Sequence, residues 1–269
     1  DNLEERIIKL CGLKCSKSTI KKLLLYWILV HQGYRVSYLV DCVAINSEQA
    51  VQILNLLNDM AGLNKGSVSI IDMGENVTIS NTLILDQKMR ESNVSTVFIE
   101  LSDKAPRICT LLEVDHITKE ISNQMRLCKV LSSEIDMYVL PFSRLLPTIA
   151  GWLLEYPSVY KTETLFLEDA VSVGDTLTKF SIVADIASVF SATPAFQYID
   201  IMEFSVPSTL FIEDPLLEQR ITQLVTEMTS KLKCKILEDN TTNSCSGIIV
   251  LRDVNVHKSI HSISQRIVL

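Results

Sequence analysis

The stretch Val68-Ser69-Ile70-Ile71-Asp72-Met73-Gly74-Glu75-Asn76 decides how the fold is read. It opens as an apolar run rich in β-branched residues, which suits a buried strand. It closes on Gly74-Glu75-Asn76, where Gly and Asn tolerate a positive φ and so favour a turn. Three other segments follow the same plan. Residues 37–42 close on Asp41-Cys42, residues 95–101 run into Ser102-Asp103, and residues 135–140 are followed by Ser143-Arg144.

Helical patterns lie around and between these runs. Residues 17–32 form a helix that Ser16 can cap and Gly33 can stop. Residues 47–60 place Ala50, Leu54, Leu57 and Ala61 on one face, with Asn46 and Gln49 at capping-box spacing. Residues 82–90 form a short helix. Residues 111–131 form a long one, with Val114, Ile117, Ile121, Met125 and Cys128 at helical spacing. A further helix covers 147–154. Strands alternating with helices imply βαβ units, parallel neighbours and right-handed crossovers. The four polar clusters then meet at one end of one sheet, where open α/β sheets hold ligands.

After Tyr156 the pattern changes. Residues 159–166, 177–184 and 196–204 read as strands in a meander or sheet extension. Asp214-Pro215 opens an amphipathic helix, with Asp as cap and Pro in the first turn. Residues 235–237 and 247–251 suggest a hairpin across a polar loop. The expected fold class is therefore α/β: an N-terminal βα alternation with a mainly parallel sheet, extended by antiparallel strands and a helix. Residues 1–269 are read as a single domain with a sub-boundary near 156–160.

Composition narrows the classes of function. The chain has 269 residues, 47% of them hydrophobic and 21% charged, which suits a globular core and not a disordered chain. The formal net charge is −7 and the lysines and arginines are scattered, so no nucleic-acid partner is expected. The longest apolar run, residues 23–30, is far shorter than the roughly 20 residues that span a bilayer. It reads as the buried part of a helix, and no membrane association is expected. Seven irregularly spaced cysteines and no visible leader imply reduced thiols and a soluble protein in the cytoplasm or nucleus.

The strand-end clusters carry the candidate chemistry. Asp41 at the end of a buried strand can act as a general base or hold a metal, because a buried carboxylate is costly without a partner. It can equally accept bonds from loop amides. Cys42 is a nucleophile only if its pKa is lowered, and otherwise a core thiol. Glu75 can join Asp41 in a two-carboxylate site for Mg²⁺, with Asn76 beside it, or sit in a plain turn. Arg144, with Ser143, can hold a phosphate or carboxylate in a fork, or pair with Asp41 or Glu75. Ser102 can contact a ligand or cap the next segment. His257 and His261 are four apart and would share a helical face. The glycine-rich, HExxH and GxSxG signatures are missing.

Two classes of function follow. The first is binding of a small anionic ligand, phosphate- or nucleotide-like, or its metal-assisted hydrolysis, with Asp41 and Glu75 as the catalytic pair. The second is a non-catalytic protein partner surface built on Tyr156, Pro157, Tyr160 and residues 204–207.

Several pieces also match a known family in order: Val40-Asp41-Cys42, Ile71-Asp72-Met73-Gly74-Glu75-Asn76, Thr96-Val97-Phe98-Ile99 with Pro106 and Cys109, Ser143-Arg144-Leu145, Leu153-Leu154 with Tyr156-Pro157 and Tyr160, and Phe204-Ser205-Val206-Pro207 with Leu210-Phe211. Across residues 36–211 the chain resembles the eukaryotic family of unknown function typified by the human chromosome 1 open reading frame 74 protein. The resemblance implies a soluble intracellular protein of similar size. It transfers no catalytic role, because the family has no established activity. The chain departs from the family at Val40, where the family has Tyr, and at Glu155, where it has Gly.

Overall fold

The computed structural model describes residues 3–61, 65–91, 96–100, 106–130, 135–141, 145–162, 176–189, 197–242 and 249–262. Contacts divide the chain into two compact units, each assembled from two stretches: 1–92 with 119–143, and 93–118 with 144–269.

The first unit opens with helices α1 (Leu3–Cys11) and α2 (Lys17–His31). Ser16 caps α2 by accepting the Thr19 amide at 3.1 Å. Every residue from Leu23 to Val30 is buried, so this half of α2 is apolar all round and sits inside the core. Strand β1 (Ser37–Leu39) and helix α3 (Ser47–Ala61) follow. The capping box at the start of α3 is complete: the Asn46 amide donates to Gln49 Oε1 at 2.9 Å and the Gln49 amide to Asn46 Oδ1 at 2.8 Å. Next come β2 (Val68–Asp72), β3 (Val77–Asn81) and α4 (Thr82–Arg90).

Strand β3 corrects the expected topology. Gly74-Glu75-Asn76 is the turn of a β2–β3 hairpin, not the entry to a crossover helix. The Met73 amide donates to the Asn76 carbonyl at 2.9 Å, Gly74 has φ +86°, and its amide donates to Asp72 Oδ1 at 2.9 Å. β3 alternates Val77 and Ile79 with Thr78 and Ser80, and all are buried. The hydroxyls lie on the other face of the sheet and bond there: Ser80 to Ser37 at 2.6 Å, and Thr78 to the Met73 sulfur at 3.4 Å. This small, hydroxyl-rich pattern has little hydrophobic contrast, which hides the strand in the sequence.

The unit-one sheet has the order β1-β3-β2-β7-β6, with β6 (Lys129–Val130) and β7 (Met137–Val139) following the long helix α5 (Leu111–Leu127). Among the described residues of this sheet, only β2 and β7 pair in parallel.

The second unit holds a sheet in the order β5-β4-β8, from β4 (Val97–Glu100), β5 (Arg107–Ile108) and β8 (Ser158–Lys161). Helix α6 (Leu146–Leu153) packs on β8. A second sheet, in the order β10-β9-β11, joins β9 (Thr176–Val189), β10 (Tyr198–Pro207) and β11 (Ile249–Ser262). Helix α7 (Ser208–Glu213) and the long α8 (Pro215–Thr242) separate β10 from β11. Across both units six strand pairings among the described residues are antiparallel and two are parallel. The fold is α/β, but its sheets are mainly antiparallel, against expectation. The expected hairpin at 235–251 is also absent: Lys235 lies inside α8, and β11 pairs with β9.

Three helices end in the same way. α1 and α2 stop at Gly12 (φ +62°) and Gly33 (φ +73°), and α6 stops at Glu155 (φ +57°). At α6 the Glu155 amide donates to the Trp152 carbonyl at 3.1 Å and the Tyr156 amide to the Gly151 carbonyl at 3.2 Å. That is a Schellman cap with Glu in the left-handed position. A side chain there costs about 1–2 kcal/mol, partly offset by the entropy glycine adds to the unfolded chain. Glu155→Gly is therefore expected to raise stability by about 0.5–1 kcal/mol, read as a higher urea midpoint at unchanged slope. A lower midpoint would mean that Glu155 contributes a contact worth more than its backbone strain.

Candidate functional site

Strands β1 and β2 are both antiparallel to β3, so they run in the same direction, and β7 runs with β2. Their carboxyl ends lie at one end of the unit-one sheet. The Val40 amide donates to the Val77 carbonyl at 2.8 Å, which carries the chain past β1 alongside the β2–β3 turn. Asp41 and Cys42 thus follow β1 at the end of the sheet that holds Gly74, Glu75 and Asn76. The Leu140 amide donates to the Asp72 carbonyl at 2.8 Å, so β7 ends there too.

Asp41, Glu75 and Asn76 are exposed. This corrects the picture of Asp41 as a buried carboxylate that needs a partner: solvent satisfies it. Asp72 is engaged by the Gly74 amide and serves the turn. Cys42 is half-buried and is not a core thiol.

The side chain that organises this end is Tyr38, which the sequence reading did not single out. Its ring is buried and stacks on Tyr26 of α2, with centroids 4.4 Å apart and planes at 16°. The Arg35 guanidinium lies 5.0 Å from the Tyr26 centroid and 5.5 Å from that of Tyr38. The Tyr38 hydroxyl reaches Asp41 Oδ1 at 3.1 Å and Cys42 Sγ at 3.3 Å, and its single hydrogen serves one of them at a time. Burial pushes the Tyr38 pKa far up, and Cys42 and Asp41 add to the shift, so Tyr38 stays a donor. The hydroxyl beside Asp41-Cys42 thus comes from Tyr38, two residues before Val40. The spacing of three between Tyr38 and Asp41 was the available signal. A second thiol is coupled to the group: burial raises the Cys15 pKa, and the charge on Cys42 raises it further. Gln49, in the first turn of α3, donates from Nε2 to the carbonyl of Cys11, the last residue of α1, at 2.7 Å.

The remaining candidates fall elsewhere. Ser102, Ser143 and Arg144 lie outside the described residues. The strand before Ser102 is β4, which belongs to a different sheet in unit two. The four polar clusters therefore do not close strands of one sheet. His257 and His261 stand on β11, a strand and not a helix, and both are exposed. Among the described residues no group of three His, Cys, Asp or Glu side chains is placed to hold a metal ion. No described helix is long and apolar enough to cross a membrane.

Unit two has its own polar cluster. Arg107 grips Glu113 with both terminal nitrogens, at 3.0 and 2.6 Å, and also pairs with Glu100, which Lys161 meets at 3.1 Å. Thr110 and Glu113 form the capping box of α5, with the Thr110 amide donating to Glu113 Oε2 at 2.7 Å. The bonds from Arg107, then those from the Thr110 amide and hydroxyl, hold the Glu113 carboxyl well below the usual carboxylate range. A depressed carboxyl stabilises the fold above its unfolded pKa of about 4.3, and that contribution fades as pH falls through the folded value. Glu113→Gln is thus expected to be less stable than the native chain at pH 7. The gap should narrow steadily below about pH 4.3, read by urea titrations across pH. A gap independent of pH would remove the ionised Glu113 from the account. Cys109, buried beside this cluster, has its pKa pushed up to about 11 by burial and then by the Glu113 charge. It is an unreactive thiol at neutral pH.

The surface proposed for a protein partner is largely internal. Pro157, Phe204, Val206 and Pro207 are buried, and Tyr156, Tyr160 and Ser205 are half-buried. Phe204 stacks on Phe180 at 5.1 Å and on Tyr156 at 6.2 Å, and the Tyr160 hydroxyl donates to the Ser205 carbonyl at 3.0 Å. These residues hold β8 against β10 and form core.

Compared with known proteins, the chain matches the family described as Domain of unknown function (DUF4504) over residues 10–251. The chain belongs to that family. This is the family typified by the human chromosome 1 open reading frame 74 protein. No curated protein and no solved structure matches the chain significantly. The matched span takes in the Tyr38–Cys42 segment and the β2–β3 turn.

Proposed function

We propose that the end of the unit-one sheet binds a small anionic ligand, phosphate- or nucleotide-like, through a divalent cation such as Mg²⁺ held by Asp41 and Glu75. One observation carries this reading. Two exposed carboxylates, in the segments that follow β1 and β2, share the end of the sheet at which these strands stop, with a buried tyrosine fixed behind one of them. Mg²⁺ is commonly held by one or two carboxylates while the substrate's phosphate supplies further oxygens. With such a cation bound, hydrolysis of the ligand would use a polarised phosphoryl group, and Asp41 would orient or deprotonate water. Asn76, beside Glu75 in the turn, is the further ligand contact in this reading.

The test is a thermal-shift screen of the full chain with MgCl₂ alone, ATP and glucose 6-phosphate, and with Mg²⁺ plus each. A ligand at about 100 times its Kd stabilises the folded state by about 2.7 kcal/mol, which raises Tm by about 5 °C or more in a chain of this size. The shift is expected with Mg²⁺ and a phosphate compound together. It should vanish in Asp41→Asn and Glu75→Gln. A shift retained in both carboxylate variants, or no shift with any of these probes, overturns the reading.

A further inference from the structure

Two half-buried, free thiols flank the start of unit one: Cys15 precedes the Ser16 cap of α2, and Cys42 follows β1. Chain geometry brings them to the same end. Past α2 lies Gly33 (φ +73°), and the Tyr34 and Arg35 amides both donate to the Leu29 carbonyl, at 2.9 and 3.2 Å, which turns the chain back. Tyr38 then stacks on Tyr26, with ring centroids 4.4 Å apart, so β1 returns along the helix that the chain has just left. From that shared level Cys15 lies about 16 Å toward the start of α2, at the rise of a helix. Cys42 lies about 13 Å onward in the same direction, at the rise of an extended chain.

Contacts hold this end in place. The Tyr38 hydroxyl reaches Cys42 Sγ at 3.3 Å, and Gln49 of α3 donates to the Cys11 carbonyl at 2.7 Å. The segment that carries Cys15 therefore leaves α1 beside the first turn of α3, to which the segment after Cys42 leads. The charge on Cys42, after burial, raises the Cys15 pKa, and solvent screens such an influence between groups that are far apart. Cys11, the third thiol of these segments, is buried, and its Sγ donates to the Gln49 carbonyl at 3.9 Å.

We propose that Cys15 and Cys42 are a redox couple, which a small disulfide such as glutathione disulfide converts into an intramolecular disulfide. One protein thiolate attacks glutathione disulfide, forms a mixed disulfide and releases a glutathione thiolate. The other protein thiolate attacks the protein sulfur of that mixed disulfide and releases the second glutathione. The two thiols give up two protons and two electrons, and glutathione disulfide is reduced to two glutathiones. Oxidation also changes what Tyr38 bonds. An ionised Cys42 competes with Asp41, as a charged acceptor, for the single hydrogen of the Tyr38 hydroxyl. A disulfide sulfur cannot ionise, so Asp41 keeps that hydrogen. A carboxylate that accepts a constant hydrogen bond is less basic and a poorer cation ligand. Oxidation therefore weakens the cation site, a control that rests on the reading of that site given above.

Incubation of the full chain with glutathione disulfide, followed by peptide mass mapping without reduction, tests the couple. The native chain should give one dominant cross-link, Cys15 to Cys42, with its circular dichroism unchanged. In Cys15→Ser glutathione should stay on Cys42, and in Cys42→Ser on Cys15, because the second attack has no thiol. Cys234→Ser should react as the native chain does. A native chain that keeps glutathione on either thiol without closing the bond overturns the couple. So does an unreacted pair, or a cross-link from Cys42 to any other cysteine. The control is read with Mg²⁺ and ATP, whose thermal shift should be smaller in the oxidised chain than in the reduced one. Equal shifts overturn the control. No shift in the reduced chain overturns the cation reading instead, and the cross-link map still decides the couple.

Discussion

Thr148→Val is expected to destabilise the protein by about 2–4 kcal/mol, although the two side chains have nearly the same shape. Thr148 is fully buried on α6. Its hydroxyl donates to the Tyr160 carbonyl at 2.9 Å, accepts the Thr162 amide at 3.0 Å, and lies 3.0 Å from the Thr162 hydroxyl. One oxygen thereby pins α6 to the end of β8. Valine leaves the carbonyl and the amide buried without this partner, and each such group costs about 1–3 kcal/mol. Serine keeps the oxygen and removes only a methyl group, so Thr148→Ser should cost about 1 kcal/mol. The order valine worse than serine is the decisive reading, taken from urea midpoints at constant slope. The reverse order would show that packing of the methyl group, and not the hydroxyl node, sets the stability of this joint.

Asn81→Asp is expected to cost about 2–4 kcal/mol, against the ordinary rule for helix caps. Asp and Asn are nearly equal as N-caps, and an acid near a helix N-terminus is normally favourable. Asn81 does cap α4, accepting the Ile84 amide at 3.2 Å. It is also buried, and its Nδ2 donates to the Val30 carbonyl at 3.0 Å and the His31 carbonyl at 3.4 Å. It therefore joins the C-terminal end of α2 to the start of α4. A carboxylate keeps the cap and loses the donor, and it faces two carbonyl oxygens in a poorly solvated site. Asn81→Ala, which loses the cap and the donor but adds no charge, should cost a similar amount. If Asn81→Asp proves neutral in chemical denaturation, the tie to α2 contributes nothing and Asn81 is a cap alone.

Both residues show where the sequence was legible. α4 was expected at 82–90 and runs Thr82–Arg90. Caps at Ser16, at Asn46 with Gln49, and at Asp214, which accepts the Leu216 amide at 3.0 Å, all formed. These contacts link residues a few positions apart, so the chain displays them directly. The second role of Asn81, bonding to Val30 fifty-one positions earlier, leaves no local trace. Tyr38 is similar. Its hydroxyl contacts are near in sequence, but its burial comes from Tyr26, and only that packing makes it a fixed donor.

The candidate site divides in the same way. The polar residues at the strand ends were visible, because a hydrophobic run that stops on Asp41-Cys42 or Gly74-Glu75-Asn76 announces a boundary. Which boundaries share a sheet was not visible. β3 hides as Val77-Thr78-Ile79-Ser80, a strand whose second face is built of small hydroxyls bonded to neighbours such as Ser37. Without it the chain reads as a parallel alternation. With it the β2–β3 pair becomes a hairpin, and Ser102 follows a strand of another sheet.

The sequence by itself determined the helices, their caps, the buried character of α2, the family, and the polar punctuation at Asp41 and Glu75. All of these depend on periodicity, on short-range hydrogen bonds or on residue order. Only the tertiary structure decided the strand directions, the exposure of Asp41 and the place of Tyr38 behind it. Those depend on backbone pairing and packing between segments far apart in the chain, where several partners satisfy the same local pattern and the whole fold selects one.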